Sequence, residues 1–346
     1  MADLNLGLVG NCQIASLIDD RGTMVWTCLP QFDSDPVFCR LLRDESETEA
    51  PGFFEVELVD YSYSEQEYQT NTAILDTTLH DSNGDALRIT DVAPRYDYMG
   101  RMFTPVMLLR RIMPVSGSPR IRIRLRPARD YGASACTTTQ GSNHIRYLAS
   151  DTTLRLTTNA ALTHVLEENV FLLDKPLYLI LGPDESIPES CADAFHAHYR
   201  ATRNYWRQWS RGLSIPFEWQ DAVIRAAITL KLCTFEDTGA VVAALTTSIP
   251  EAAGSGRNWD YRFCWLRDSY FVLHALNRGH ALVPRKRFDD LLVGNRPATD
   301  AIERFQFLIA CRDGNVHDVV EVTLHGHGRA QPVERMQDKV TVTQPA

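Results

Sequence analysis

Between Gly256 and Tyr270 the sequence sets Trp259, Tyr261, Phe263, Trp265 and Tyr270 among Arg257, Asp260, Arg262, Arg267 and Asp268. Flat apolar ring faces suit the C–H side of a pyranose, and the adjacent Arg267-Asp268 pair offers donors and acceptors to two neighbouring hydroxyls. The competing reading is core packing, since aromatic-rich stretches that enter a helix are commonly buried. Burial without partners is costly for Asp260, Arg262, Arg267 and Asp268, because an unpaired charge is strongly destabilising away from water. Those four are therefore expected either as paired core charges or as the lining of a polar pocket.

Other residue types capable of chemistry give weaker patterns. The run His325-Gly326-His327-Gly328 could suggest a metal, but two His at i, i+2 on a strand point to opposite faces and the glycines favour a turn. His196 and His198 are expected as packing or surface residues of a helix. The eight cysteines show no C-x-x-C or other ligand spacing, so reduced thiols are expected rather than a zinc site. No G-x-S-x-G, G-x-x-x-x-G-K-[ST] or G-x-G-x-x-G occurs, and no cofactor is expected.

The elements that must position the ring-rich segment come in two kinds. Short alternating runs such as Phe53 to Val59, Asp76 to His80, Leu87 to Val92, Val106 to Ile112, Ile121 to Arg126, Thr152 to Thr158 and Leu177 to Gly182 predict antiparallel strands. Ser82-Asn83-Gly84-Asp85 and Ser116-Gly117-Ser118-Pro119 carry hairpin-turn chemistry between them. The period then changes. Cys191 to Arg211 predicts a linker helix, with Gly212 placed where a helix end favours positive φ and Pro216 as a stop. A second helix is predicted over Glu218 to Phe235, with Trp219, Val223, Ala226, Ala227, Leu230 and Leu232 at helical spacing, and a third over Ser269 to Asn277. Ala298 to Cys311, with Ile302, Phe305, Leu308 and Ile309, reads as a further helical run, and Val340 to Ala346 as an edge strand.

With 346 residues, 44% of them hydrophobic and 23% charged, the chain is long enough for two domains and is not of disordered type. A formal charge of −9 argues against nucleic acid or an anionic membrane surface as partner. The basic run Arg120 to Arg126 alternates with Ile121, Ile123 and Leu125, which reads as a half-exposed strand with a solvated face. Met1 to Leu6 lacks a basic n-region, no later stretch reaches about 18 apolar residues, and a cytoplasmic location is the expectation. Oligomeric state is left open by the sequence.

The run Asn258-Trp259-Asp260-Tyr261-Arg262-Phe263-Cys264-Trp265-Leu266-Arg267-Asp268 resembles the signature of glycoside hydrolase family 15, the glucoamylase, glucodextranase and bacterial trehalase group. Gly10 to Ile18, Gly22 to Ser34, Thr90-Asp91-Val92-Ala93-Pro94 and Ala244 to Glu251 resemble further landmarks in the same order, over about Leu6 to about Arg278. The resemblance implies a mixed multidomain fold, an N-terminal antiparallel β-sandwich followed by an (α/α)6 barrel with sugar at the mouth of its inner helices. Twelve helices of about 12 residues joined by about 5 need roughly 200 residues, more than residues 216–346 supply. The expected organisation is thus a β-sandwich over 1–190, a linker helix over 191–212, the first helices of an incomplete barrel over 213–279 and an atypical tail over 280–346, read as a shifted frame or a truncation.

By the same resemblance, Tyr261 and Trp265 are ring platforms of a glucose subsite, Arg267 and Asp268 grip two hydroxyls, and Asp260, Arg262 and Trp259 support them from behind. Such enzymes hydrolyse terminal α-linked glucose with inversion, using two carboxyl groups roughly 6.5–9.5 Å apart. No counterpart of either family glutamate is found in Glu303, Glu321 or Glu334, so no catalytic residue is identified and the chain by itself is expected to be inactive. The expected partner is a carbohydrate, an α-glucoside. A non-catalytic carbohydrate-binding or assembly fragment is the alternative, and a sugar phosphorylase relative a third, less favoured by the Trp-Leu-Arg-Asp wording.

Overall fold

In the computed structural model, the structure describes residues 4–43, 47, 49–148, 152–249, 259–278, 302–310 and 316–325. Most of the described residues before 190 form two large antiparallel sheets. The first runs Gly7–Gly10 (β1), Ala15–Ile18 (β2), Met24–Cys28 (β3), Phe53–Leu58 (β5), Arg120–Arg126 (β12) and Phe171–Leu172 (β18), with Pro36–Cys39 (β4) also paired to β3. The second runs Thr137–Gln140 (β15), His144–Leu148 (β16), Thr153–Thr158 (β17), Leu177–Pro183 (β19), Leu108–Ser116 (β11), Ala86–Val92 (β8), Leu75–Asp81 (β7) and Tyr61–Tyr68 (β6). Two short ribbons, Tyr96–Tyr98 (β9) with Arg101–Phe103 (β10) and Ala128–Arg129 (β13) with Ser134–Ala135 (β14), decorate them.

One core lies between the sheets. Val9, Ile18, Met24, Phe54, Val56, Ile121 and Ile123 of the first sheet meet Leu75, Leu79, Leu87, Ile89, Ile112, Leu156 and Leu179 of the second. The arrangement is sandwich-like, and its alternation is sharpest in β12, whose isoleucines are buried while its arginines face out. That basic face is neutralised as well as solvated. Arg122 and Arg124 sit opposite Glu57 and Glu55 of β5 and pair with them at 3.1 and 3.2 Å, and Arg126 forks onto Glu168. Arg110 of β11 crosses the core. Its fork meets the Asp91 carboxylate at 2.7 and 3.0 Å, and it also donates to the carbonyls of Phe54 and Gly22 in the other sheet's region.

The β7–β8 hairpin closes where the sequence placed it. Asp81 accepts from the amides of Asn83 and Asp85, and Gly84 takes φ +92°. Ser116 to Pro119 behaves differently from the hairpin expectation. Gly117 does turn, at φ +63°, and a Cβ there would overlap the Asp85 carboxylate, but the flanking strands leave for different sheets. Both edges of β11 are already taken by β8 and β19, so local turn chemistry reverses the chain without making the two arms partners.

The described helices are few: the single turn Leu162–Leu166 (α1), Cys191–Arg211 (α2), Gln220–Leu232 (α3) and Leu266–Arg278 (α4). Ser190 caps α2, its hydroxyl oxygen accepting from the Asp193 amide at 3.1 Å. The helix lies on the outer face of the second sheet, with Phe195 and Ala194 against Ile74, Val92, Leu109 and Ile180. Its far end buries Trp206 in a second cluster made by Leu8, Ala15 and Ala73 of the sandwich with Ile224, Ile228 and Leu232 of α3, Leu245, and Leu276 of α4.

Three sequence expectations are corrected here. Gly212 is not left-handed but has φ −80°, because α2 ends in a tight i to i+3 turn, Gly212 N–H donating to the Trp209 carbonyl. The predicted helix from Glu218 to Phe235 is shorter at both ends, and Trp219 precedes α3 at φ +62°, largely exposed instead of on its apolar face. The run from Ala298 to Cys311 contains a strand, Ile302–Ala310 (β20), paired antiparallel with Val316–His325 (β21). Phe305, Phe307 and Ile309 recur at period two, and the valine-rich partner favours a pleated ribbon over the helical spacing first read there. The expected strand from Val340 to Ala346 lies outside the described residues.

Candidate functional site

The ring-rich segment enters beside residues 241–249. Backbone bonds tie the two together: Ala243 and Ala244 amides donate to the carbonyls of Phe263 and Tyr261 at 3.0 and 2.8 Å, and Ser248 N–H to that of Trp259 at 2.8 Å. Ser248 also accepts from the Trp259 amide through its hydroxyl. The neighbouring strand-like segment is itself pinned to the sandwich, since the buried Trp26 indole of β3 donates to the Leu245 carbonyl at 2.7 Å.

Tyr261 and Trp265, both half-buried, are brought together with ring centroids 5.1 Å apart and planes tilted by 30°. Such a tilted pair leaves ring faces of different aspect beside one another. Asp268 follows in the first turn of α4, half-buried, where a carboxylate is favoured by the positive end of the helix dipole. Arg267 is placed in the same turn by its backbone, and its side chain lies outside those described.

Between Tyr261 and Trp265 in the sequence is Arg262, only 4% exposed. Nε and Nη2 donate to the two Asp260 oxygens at 2.9 and 2.7 Å, while the Arg262 amide donates to Oδ1 of the same carboxylate at 3.0 Å. Nη1 reaches the Ser34 carbonyl at 2.6 Å and the Cys28 sulfur at 3.5 Å, and Nη2 the Tyr131 hydroxyl at 2.8 Å. Burial opposes the charge, but the hydrogen bonds and charge of Asp260 prevail and hold the guanidinium well above its ordinary pKa. Burial likewise pushes the Cys28 thiol up to about 12 and raises Tyr131, so both stay neutral beside it. Burial also raises Cys264, whose sulfur lies 3.1 Å from the Ser269 hydroxyl. The paired core charges and the ring pair thus occur side by side: Asp260 and Arg262 are paired internally, while Tyr261, Trp265 and Asp268 stay half-exposed.

Several partners of this segment gave no signal in the sequence. Ser34, Tyr131 and Cys28 lie far from residue 262 along the chain, and only the three-dimensional structure joins them. The landmarks quoted from the sandwich serve as wiring. Asn11 accepts from the Gln13 and Ile14 amides and donates to the carbonyls of Pro94 and Pro105; Arg95 pairs with Glu236 at 2.7 Å and donates to the Asn11 carbonyl. His196 and His198 bond the Tyr178 and Tyr96 hydroxyls at 3.1 and 3.0 Å. His325 ends β21, and its companion His327 lies outside the described residues. Among the described residues no group of His, Cys, Asp and Glu has metal-holding geometry. A cleft lined by Thr70, Asn71, Arg207 and Arg211 includes none of the ring-segment residues. No described helix is long and apolar enough to cross a membrane.

Comparison with known proteins matches the stretch that holds this geometry. The family described as glycosyl hydrolases family 15 matches residues 219–325, which contain the whole ring and carboxylate segment, and the trehalase-like N-terminal family matches residues 4–171. The chain belongs to glycosyl hydrolase family 15. It is 30% identical to a trehalase of Mycolicibacterium smegmatis over 94% of this chain and 52% of that protein. A trehalase of Mycobacterium tuberculosis is 29% identical over 92% of the chain and 50% of its own length. One of Thermoplasma volcanium is 29% identical over 78% and 44%. The chain spans about half the length of these curated relatives. The family 15 match also runs to residue 325, past Arg278, where the motif resemblance had ended, and so takes in β20 and β21.

Proposed function

We propose that this chain carries the first part of a glucose-binding cradle of a trehalase-type family 15 hydrolase. The observation that carries the reading is the half-exposed Tyr261–Trp265 ring pair, 5.1 Å apart, set one turn before Asp268 and buttressed by the Arg262–Asp260 pair within the matched region. In this reading Tyr261 and Trp265 form the platform for the apolar face of glucose, and Arg267 and Asp268 hold two of its hydroxyls. Asp260, Arg262 and Trp259 keep the loop in shape from behind.

The substrate class is an α-glucoside, with trehalose favoured by the names of the relatives. The proposed reaction is water-mediated inversion at the terminal glucose, in which one carboxyl group protonates the leaving oxygen while another activates water. Neither group is assigned to a residue of this chain, and α3 and α4 are the opening helices of the barrel that would complete the cradle. The chain assayed by itself is therefore expected to bind sugar weakly and to release no glucose.

Calorimetric titration of the purified 346-residue chain with trehalose, maltose and glucose tests the binding half. Weak, saturable heat that falls by about tenfold in Trp265→Ala, the loss of one well-packed ring contact, supports the cradle. Equal binding by the variant removes the ring pair from it. Glucose released from trehalose above a protein-free control overturns the expectation of inactivity.

A further inference from the structure

The turn formed by Asp130, Tyr131 and Gly132 has three consecutive left-handed residues, at φ +52°, +55° and +89°, and two of them carry side chains. L-residues avoid this region because Cβ crowds the following carbonyl, so such a run persists only where its surroundings impose it. The surroundings are visible. β13 and β14 close the turn, the Ala133 amide donates to the Asp130 carbonyl at 3.1 Å, and Arg43 donates to the Gly132 carbonyl. A Cβ on Gly132 would come within 2.7 Å of Arg43 Nη2 and 3.0 Å of the Cys39 sulfur, so the backbone sits tight against β4 and its exit.

What the turn accomplishes is to aim the Tyr131 phenol at Arg262. A guanidinium has five N–H donors, and each nitrogen of Arg262 is engaged: Nε on Asp260, Nη2 on Asp260 and Tyr131, Nη1 on Ser34 and Cys28. The two bonds to Asp260 stay inside the ring segment, whereas those to Tyr131, Ser34 and Cys28 all land on the sandwich. Ser34 and Cys28 offer a backbone carbonyl and a weakly accepting sulfur, so Tyr131 supplies the sole side-chain hydroxyl in the set. Arg262 is followed and preceded, within three residues, by Trp265 and Tyr261, and the Tyr261 carbonyl is held by Ala244. Arg262 is thus the side chain that ties the loop carrying both rings to the sandwich.

We infer that Tyr131, a residue of the sandwich held in a strained turn, is a positioning residue for the Tyr261–Trp265 platform and acts through Arg262. The inference rests on the proposed glucose cradle for its functional meaning, though not for its geometry. The sandwich thereby becomes part of the sugar site by remote support, because its β13–β14 turn holds the guanidinium of the loop that carries the platform rings.

Fluorine NMR on the full chain labelled with 5-fluorotryptophan tests this. The Trp265 resonance is assigned with Trp265→Phe, and the buried Trp206 serves as internal control. Tyr131→Phe keeps the ring and deletes only the hydroxyl. Its expected effect is a shifted or broadened Trp265 resonance, an unchanged Trp206 resonance, and about fivefold weaker trehalose binding, the equivalent of one lost hydrogen bond. Arg262→Lys, which keeps the charge and loses the fork, is expected to move the same resonance and serves if Tyr131→Phe does not fold. A folded variant of either kind whose Trp265 resonance matches the parent overturns the inference, even if its melting temperature falls. Absence of any response to trehalose in the parent overturns the cradle reading instead, and the Trp265 resonance still decides the role of Tyr131.

Discussion

Arg110 and Arg262 show two ways of burying a guanidinium in this protein. Arg110 is 1% exposed and its carboxylate partner Asp91 is fully buried, while the remaining donors reach the Phe54 and Gly22 carbonyls across the core. The pair therefore joins the two sheets as well as neutralising itself. Removing one partner leaves a buried charge unanswered, which costs far more than the pair is worth against an apolar replacement. Arg110→Met is accordingly expected to destabilise the chain by about 3–5 kcal/mol in urea unfolding, with Asp91→Leu in the same chain restoring a good part of it. A single variant with a loss below about 1 kcal/mol would show that Asp91 is neutralised or hydrated by other means.

At the scale of elements, the most self-contained piece is α2. Its start is written into the chain as Ser190-Cys191-Ala192-Asp193: the serine oxygen accepts from the Asp193 amide, and the serine hydroxyl donates to the Asp193 carboxylate at 2.7 Å. Ser190→Ala is expected to cost about 1 kcal/mol, read as a lower urea midpoint with an unchanged slope. A slope that changes as well would mean that the first turn anchors more of the molecule than a cap does. The strands depend more on their neighbours. β12 finds its place because Ile121, Ile123 and Leu125 must go inward and Arg122 and Arg124 must meet Glu57 and Glu55, a register that a one-residue slip would invert.

Over the whole molecule, the sandwich and the helices share hydrophobic and polar contacts that neither could satisfy alone. Leu8, Ala15 and Ala73 close over Trp206, Ile224 and Ile228, and Arg95 spans to Glu236. Arg225 stacks 3.9 Å from the Tyr68 ring centroid and donates to the Thr72 carbonyl, while the Cys12 thiol donates to the Lys231 carbonyl. Units joined in this way unfold together. Differential scanning calorimetry is expected to show one cooperative transition for the sandwich and α2 to α4. Two resolved peaks would mean that the second cluster is a docking surface rather than a shared core.

The sequence by itself determined seven strands of the sandwich (β5, β7, β8, β11, β12, β17 and β19), the bounds of α2 and the family, because each is set by neighbours in the chain: alternation at period two, helix formers with aromatics at helical spacing before a proline stop, and a run of rings and charges from Trp259 to Asp268. It misplaced Gly212, Trp219 and the Ile302–Ala310 strand, where helix ends and short apolar runs are decided by what they pack on and pair with. It assigned Gly117 a hairpin, although the destination of each arm depends on which sheet edge is still free. Only the tertiary structure decided that Arg262 answers to Tyr131, Ser34 and Cys28, since hydrogen bonds spanning 131 to 234 positions leave no periodicity to read. Each N–H of a buried guanidinium is costly to leave without an acceptor, and the fold chooses where the acceptors come from.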